Sequence, residues 1–315
     1  MSVTVVGSIA YDSVRTPFGE RDRMLGGTAV HFSLASSFFA DVHVVGPVGE
    51  DFTDAQMATL ARPGVHTADV ERVPGGKTFF WRGHYDYDLN TAHTDDTQLG
   101  VFADFQPKLS RDSRSCEVLF LANIQPELQL QVREQCDRAK FVALDSMNLW
   151  IDGARDALVE VIRRVDCLLL NDAELRMLTG EPNLVRAARE VISWGPHAVV
   201  AKQGEYGACL FTAERFFGLP SYPLETVLDP TGAGDTFAGG FVGTIAAHAH
   251  LLDDVPPEDE LLRTAMAHGT ALASFNVEQF GTERVARLEH AEIEQRVREI
   301  ADITRFSGAP LPARA

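Results

Sequence analysis

The chain has 315 residues, 45% of them apolar and 23% charged, an ordinary globular balance that excludes disordered, collagenous and disulfide-stapled designs. Its 45 acidic and 28 basic side chains leave a formal charge of −17, a field that repels nucleic-acid backbones and anionic membranes yet permits a small anion in a local pocket. Only Lys77, Lys108, Lys140 and Lys202 are lysines; surplus acid with so little lysine fits high-salt adaptation and arginine-rich codon usage equally well.

VTVVGSI, residues 3–9, is a short β-branched run ending at a Gly-Ser turn, the pattern of a buried strand; the first residues lack the basic start and long apolar stretch of a signal peptide. TAVHFSLASSFF, residues 28–39, fits a helix behind Gly26–Gly27, and VHVVGPVG a second strand and turn. Residues 74–100 alternate polar and aromatic side chains without helical periodicity, which predicts a small antiparallel excursion. With residues 12–25 it would form a lid, hinged near Gly75–Gly76 and Gly83. Further on, EVLFLAN, KFVALDS, CLLLN and HAVVAK alternate with amphipathic helices, the rhythm of a largely parallel sheet covered on both faces. After Pro230 the chain reads as mainly helical. One α/β domain over 1–305 with a loose tail over 306–315 is the expected organisation.

Cys116, Cys136, Cys167 and Cys209 are at least 20 residues apart and form no CxxC pair, so reduced structural thiols in a cytoplasmic protein are expected. No apolar run reaches the ~18 residues of a membrane span. His248 and His250 have a metal-like spacing, but a helix through them would put them on opposite sides, as solvated histidines.

Val227–Phe237, VLDPTGAGDTF, is the most informative segment. Small residues at Gly232, Ala233 and Gly234 precede a helical pattern, so several backbone N–H groups can converge where the helix adds partial positive charge: an anion site without a basic side chain. Asp235 inside such a nest has two readings. It is a carboxylate beside a bound phosphate, placed to take a proton from an attacking hydroxyl, or it simply favours the helix dipole behind a glycine turn. A dinucleotide fingerprint fails because Phe237 stands where glycine is required, and no GxxxxGK[ST] occurs.

DPTGAGDTFAGGFVG resembles the C-terminal signature of the ribokinase-like, or PfkB, carbohydrate kinases. The N-terminal half agrees: Gly7-Ser8, Asp12, Gly26–Gly27 before a helix, Gly46 and Gly49-Glu50-Asp51. Asn171-Asp172-Ala173-Glu174 resembles the family's NxxE motif, and Lys202-Gln203-Gly204-Glu205-Tyr206-Gly207 the strand and turn near the nucleotide. The resemblance spans residues 3 to about 285. It implies a three-layer α/β/α ribokinase-like core with a small β-sheet lid, and ATP- and Mg²⁺-dependent phosphoryl transfer to a primary hydroxyl.

Carried over by position, Asp235 is the general base and the amides of Gly232, Ala233 and Gly234 the anion hole. Asn171 and Glu174 organise Mg²⁺ and its waters, though the same pair also reads as a helix capping box. Lys202, Gly204 and Gly207 lie by the nucleotide, and Asp229 and Thr231 by a monovalent cation such as K⁺, in a loop completed by Asn276–Gly281. Asp12, Gly26, Gly27, His31 and Asn123 join Asp235 on the substrate side. Asp12 and Asn123 also read as turn residues, and His31 as a packed core histidine.

Ribokinases proper carry asparagines where this chain has His31 and Ala10, which argues against ribose. The stretch Asp145–Trp150 resembles a DxNxR motif without its arginine, which argues against a substrate carboxylate. Phe79, Phe80, Trp81, Tyr85 and Tyr87 crowd the lid, as a stacking platform for a sugar face or nucleobase, as lid core, or as the contact of a homodimer. The leading expectation is a small-sugar kinase, with a nucleoside kinase next and a catalytically silent sugar-binding regulator last.

Overall fold

Short runs of branched apolar residues become central strands wherever both faces can be covered. The computed structural model describes residues 1–252 and 256–306, so the tail 307–315 lies outside the described residues. Its strands are β1 (Ser2–Val6), β2 (Ala10–Thr16), β3 (Gly19–Gly26), β4 (Asp41–Gly49), β5 (Val65–Val73), β6 (Phe79–Tyr85), β7 (Ala92–Gln98), β8 (Val118–Leu121), β9 (Phe141–Asp145), β10 (Cys167–Asn171), β11 (Ala198–Lys202), β12 (Ala208–Thr212) and β13 (Phe216–Leu219). Nine of them form one sheet in the order β13-β12-β11-β10-β9-β8-β1-β4-β5. From β11 to β5 every pairing is parallel, and β12 and β13 add an antiparallel edge.

Successive side chains of a strand point to opposite faces, so each strand feeds two cores. Val3 and Val5 join one and Val6 the other; Ala198 and Val200 oppose Val199 and Ala201. The first core is covered by the helix Thr28–Ser36, every residue of which is buried, and by the helices Ala233–Ala247 and Asp259–Asn276. A Cβ on Gly239 would lie 2.4 Å from the Phe32 carbonyl oxygen, so this glycine lets the helices Thr28–Ser36 and Ala233–Ala247 touch backbone to side chain. The helices Pro126–Gln135, Arg155–Ile162, Asp172–Thr179 and Leu184–Trp194 cover the second core, completing three layers.

The lid is a four-stranded sheet in the order β3-β2-β6-β7. Its hairpins β2–β3 and β6–β7 are antiparallel as expected, but β2 and β6, which join them, are parallel. A parallel pair needs a crossover, and here the crossover is the segment from the helix Thr28–Ser36 through β5. The chain therefore crosses between core and lid four times, out twice and back twice, and the crossings are tied in twos. At the first tie Ser8 accepts the Ala29 and Thr28 amides through its carbonyl and hydroxyl. At the second, Lys77 O accepts the Val101 amide at 2.8 Å, and Asp51 Oδ1 accepts the Thr78 amide and hydroxyl, each at 2.8 Å.

Two expectations are corrected. Gly83 is no hinge: it lies within β6, paired to Val14 and Thr94, and a Cβ on it would strike the Trp81 indole at 2.3 Å. His248 and His250 do not flank a helix, because the helix ends at Ala247 and the two rings lie 6.4 Å apart on the turn beyond it. All four cysteines are free thiols. No described helix is long and apolar enough to cross a membrane.

Candidate active site

The loop before the helix Ala233–Ala247 is shaped by what lies behind it. Gly232 caps that helix at φ +75°, in the left-handed region, and a Cβ there would fall within 2.3–2.4 Å of three atoms of the His31 ring. Glycine is required on both counts. His31 is buried; its Nδ1 lies 3.1 Å from Asn276 Oδ1, and its Nε2 has no partner. Burial pushes the imidazole down to about 4, so it is neutral at pH 7. His31 therefore backs the anion loop from within the core. Asn276 completes the support, accepting from the Thr236 hydroxyl and donating to Thr231 O at 2.8 Å.

Asp229, fully buried, clamps two segments together: its oxygens accept the amides of Thr231 and Gly281, each at 2.9 Å. The loop over Asn276–Gly281 is thus physically joined to the anion loop. Asp229 and Thr231 fit a monovalent cation in donor type, an anionic carboxylate beside a hydroxyl, although amides already occupy one lone pair on each Asp229 oxygen.

Four ionisable groups meet below the loop. Desolvation pushes Asp235 up to about 7, with Asp145 and Asp12 adding to the rise and Lys202 opposing it. Asp12, at the start of the lid, is likewise pushed up to about 7 by burial, against a hydrogen bond from the Gly27 amide. Its carboxylate fills the space a side chain at Gly26 would need, since a Cβ there would lie 1.9 Å from Oδ2. Lys202 ends β11 with Nζ 3.1 Å from Asp145 Oδ2 and 3.1 Å from where a Gly234 Cβ would stand. Burial works against its charge, but Asp145, Glu174 and Asp235 together hold its pKa above the usual lysine value. One ammonium group thus sits under the anion loop, fixed by a buried carboxylate from the end of the neighbouring strand but one.

Asn171 and Glu174 form the capping box, Glu174 N donating to Asn171 Oδ1 at 2.7 Å and Asn171 N to Glu174 Oε2 at 2.9 Å. Desolvation pushes Glu174 up to about 7, against the pull of Lys202. Glu174 Oε1 takes no hydrogen bond among the described residues, which fits an oxygen kept for a hydrated divalent cation. Gly204, at φ +55°, and Gly207, at φ +100°, make the tight turn between β11 and β12, where Gln203 N donates to Gly207 O. Asn123 follows β8, its Oδ1 accepting from Trp150 Nε1 at 3.0 Å. That leaves its amide nitrogen free to donate.

The lid is down on this site. Tyr85 Oη and Thr231 Oγ1 lie 3.2 Å apart, Asn90 reaches Glu205 at 3.4 Å, and Thr16 donates to Leu228 O at 2.9 Å. Because β2 and β6 are parallel and in register, Asp12 and Trp81 are neighbours on one lid face, with Phe79 and Tyr85 at alternate positions of the same face. The opposite face of β6 carries Arg82 and His84, paired to Asp22 and Asp95. The face that carries Trp81 and Tyr85 is thus turned to the core.

Sequence reading missed Asp145 and Tyr85. Asp145 stands in a stretch read for a missing arginine, and its partner lies 57 residues away. Tyr85 is one aromatic among several in the sequence, and only the pairing of Trp81 with Asp12 on one lid face singles it out.

Together these groups offer a carboxylate titrating near neutrality, amides converging at a helix start and an ammonium beneath them, a set suited to moving a phosphoryl group onto a hydroxyl. Known proteins agree. The chain is 28% identical over 249 residues to a cytidine kinase of Thermococcus kodakarensis, covering 77% of this chain and 87% of that one. A Burkholderia thailandensis nucleoside kinase solved with ADP and inosine superposes with a TM-score of 0.75 at 20% identity, over 99% of each chain. A putative ribokinase II of E. coli with ATP and Mg²⁺ superposes with a TM-score of 0.73, also at 20% identity, covering 95% of this chain and 99% of that one. The description of a pfkB family carbohydrate kinase fits residues 3–287, and the chain belongs to that family.

Proposed function

We propose that the acceptor of this phosphotransferase, a sugar or nucleoside kinase of the PfkB family, is a nucleoside, phosphorylated by ATP on its primary hydroxyl, which reverses the order of the two leading sequence expectations. The observation that carries this reading is the pairing of Asp12 with Trp81 on the inner face of the lid. A carboxylate that grips ribose hydroxyls beside an indole that takes the base suits a ligand with both parts, and aromatic stacking contributes ~0.5–1.5 kcal/mol beyond the area it buries. The likeness to a cytidine kinase points the same way. The packing of His31 behind Gly232 also withdraws the main argument that it selects the sugar.

In this reading Asp235 accepts the proton of the primary hydroxyl as that oxygen attacks the γ-phosphorus. Burial raises Asp235 to about 7, so it is basic enough to take the proton and still ionised for much of the time at neutral pH. The amides of Gly232, Ala233 and Gly234 face the charge building on the transferred group, and Lys202 reinforces them from below. Mg²⁺, when bound through water to Glu174 and Asn171, neutralises phosphate charge. Asp229 and Thr231 are the residues that would hold K⁺, by orienting the loop rather than by entering the chemistry.

An ADP-release assay across nucleosides and free sugars, with ATP as donor, tests this. A pyrimidine or purine nucleoside should exceed every free sugar in kcat/KM by at least tenfold. A free hexose or pentose as best acceptor would restore the sugar-kinase reading.

A further inference from the structure

At the far end of the sheet lies a cleft of about 360 Å³ whose lining includes Arg111, Arg114, Gln135, Asp137 and Arg138. Its residues precede β8 and β9, at the amino ends of these strands, whereas Asn123 and Asp145 lie at or just past their carboxyl ends. The cleft is therefore separate from the active site.

Its charge is unusual for this molecule. Elsewhere guanidinium groups are engaged by carboxylates, carbonyls or rings. Among the described residues only Arg15, Arg111, Arg114, Arg138 and Arg189 place theirs in no hydrogen bond, ion pair or ring contact, and three of these five share this cleft. Against them stands one lining carboxylate, Asp137, so a chain with formal charge −17 keeps a local excess of about two positive charges here. The walls are held independently of those arginines. Gln135 accepts the Leu109 amide at 3.3 Å and donates to Pro107 O at 3.0 Å, tying the 107–115 segment to the helix Pro126–Gln135. Asp69 fixes the same segment by accepting the Ser110 amide at 3.0 Å and the Ser113 hydroxyl. No internal partner uses the arginines, and the scaffold does not need them.

We propose that this cleft is a second ligand site, for a small organic phosphate. Guanidinium forks match phosphate oxygens two at a time, and a phosphomonoester brings a charge of about −1.5 to −2 at neutral pH, the complement of what the cleft holds. Its volume falls within the ~300–1,000 Å³ of small-molecule sites, room for the phosphate and the group that carries it.

Isothermal titration of the full chain with pyrophosphate and with AMP at low ionic strength tests the proposal, compared with Arg111→Gln/Arg114→Gln/Arg138→Gln. None of these residues belongs to the catalytic machinery, so the variant should keep its turnover within twofold and its unliganded Tm. The wild type should bind one equivalent more of at least one probe than the variant, or the variant should lose at least tenfold in affinity. Because the guanidinium groups are exposed, the difference should shrink in 0.5 M NaCl. Identical stoichiometry and affinity in the two proteins would overturn the proposal.

Discussion

The floor of the active site and the lid above it hold their charges in opposite ways. In the floor, Asp235, Asp145 and Lys202 are withdrawn from water, as is Asp12 where the lid's inner face meets it, and burial drives both Asp12 and Asp235 up to about 7. On the outer face of the lid, Arg82, His84 and His93 pair with Asp22, Asp95 and Asp86 in the open, where such pairs add little. Buried charge weakens the fold and is kept for what it does to a proton or a phosphate. Exposed charge keeps a small, mobile sheet soluble at slight energetic consequence.

The sharpest break of this contrast is Asp235→Asn. Loss of a general base should lower kcat by ~10²–10⁴-fold or more while ATP still binds. The same change should stabilise the protein. An acid whose pKa rises on folding takes up protons as the chain folds, so its stabilising share is complete below about pH 4 and is lost as pH rises through about 7. Removing that charge should raise stability at pH 8 by roughly 1–4 kcal/mol, about one to three pKa units' worth, and melting curves at pH 4, 5 and 8 would show the gain growing with pH and largest at pH 8. In the wild type, kcat/KM should fall about tenfold per unit below pH 7. A profile flat from pH 5 to 8 would remove Asp235 from the role.

Lys202→Met comes next. It leaves Asp145 buried without its partner, a loss of ~3–5 kcal/mol when a buried pair is broken, and should lower kcat/KM by about 10²-fold. Lys202→Met/Asp145→Leu should regain most of the stability and none of the turnover, separating the electrostatic role from the packing one. Recovery of both would make the pair structural only.

On the lid the effects should be smaller. Trp81→Ala should raise KM for a nucleoside ~3- to 10-fold with little change in kcat, consistent with a stacking contact of about 0.5–1.5 kcal/mol, and should leave a free sugar's KM within twofold. Arg82→Ala on the outer face should shift Tm by less than about 2 °C, as expected for an exposed pair. A larger shift would mean that the lid's outer charges are not the loose set described here.

The same contrast separates what the sequence discloses from what it hides. The strand–helix rhythm and the glycine turn before Asp235 are local, so periodicity and spacing reveal them. The Asn171–Glu174 box is local too, and the structure realises it as the capping box that the spacing predicts. The parallel pairing of β2 with β6 is not local, because it depends on where a chain returns after more than 50 residues of core. Asp145 acquires its meaning only from Lys202 at the end of another strand. His31 lies on a helix buried on every side, so no hydrophobic stripe tells which of its faces meets the loop. Even the glycines of DPTGAGDTFAGGFVG divide their meaning: Gly232 serves the loop, while Gly239 serves the contact with the helix Thr28–Ser36.

The two ties between lid and core carry a mechanical consequence. A rigid plate fixed at two pins can turn only about the line through them. Ser8 with Thr28 and Ala29 is one pin, and Lys77, Thr78 and Val101 with Asp51 the other. Swinging the plate outward would break contacts at its free margin, among them Tyr85 to Thr231, Asn90 to Glu205, Thr16 to Leu228 and the stacking of Arg21 on Phe280. Asp12 stands close to the first pin and barely travels, whereas Tyr85 and the 86–91 turn sweep the widest arc. On the proposed reading the lid would work as a door whose jamb grips the guest's hydroxyls while its outer edge decides when water is shut out.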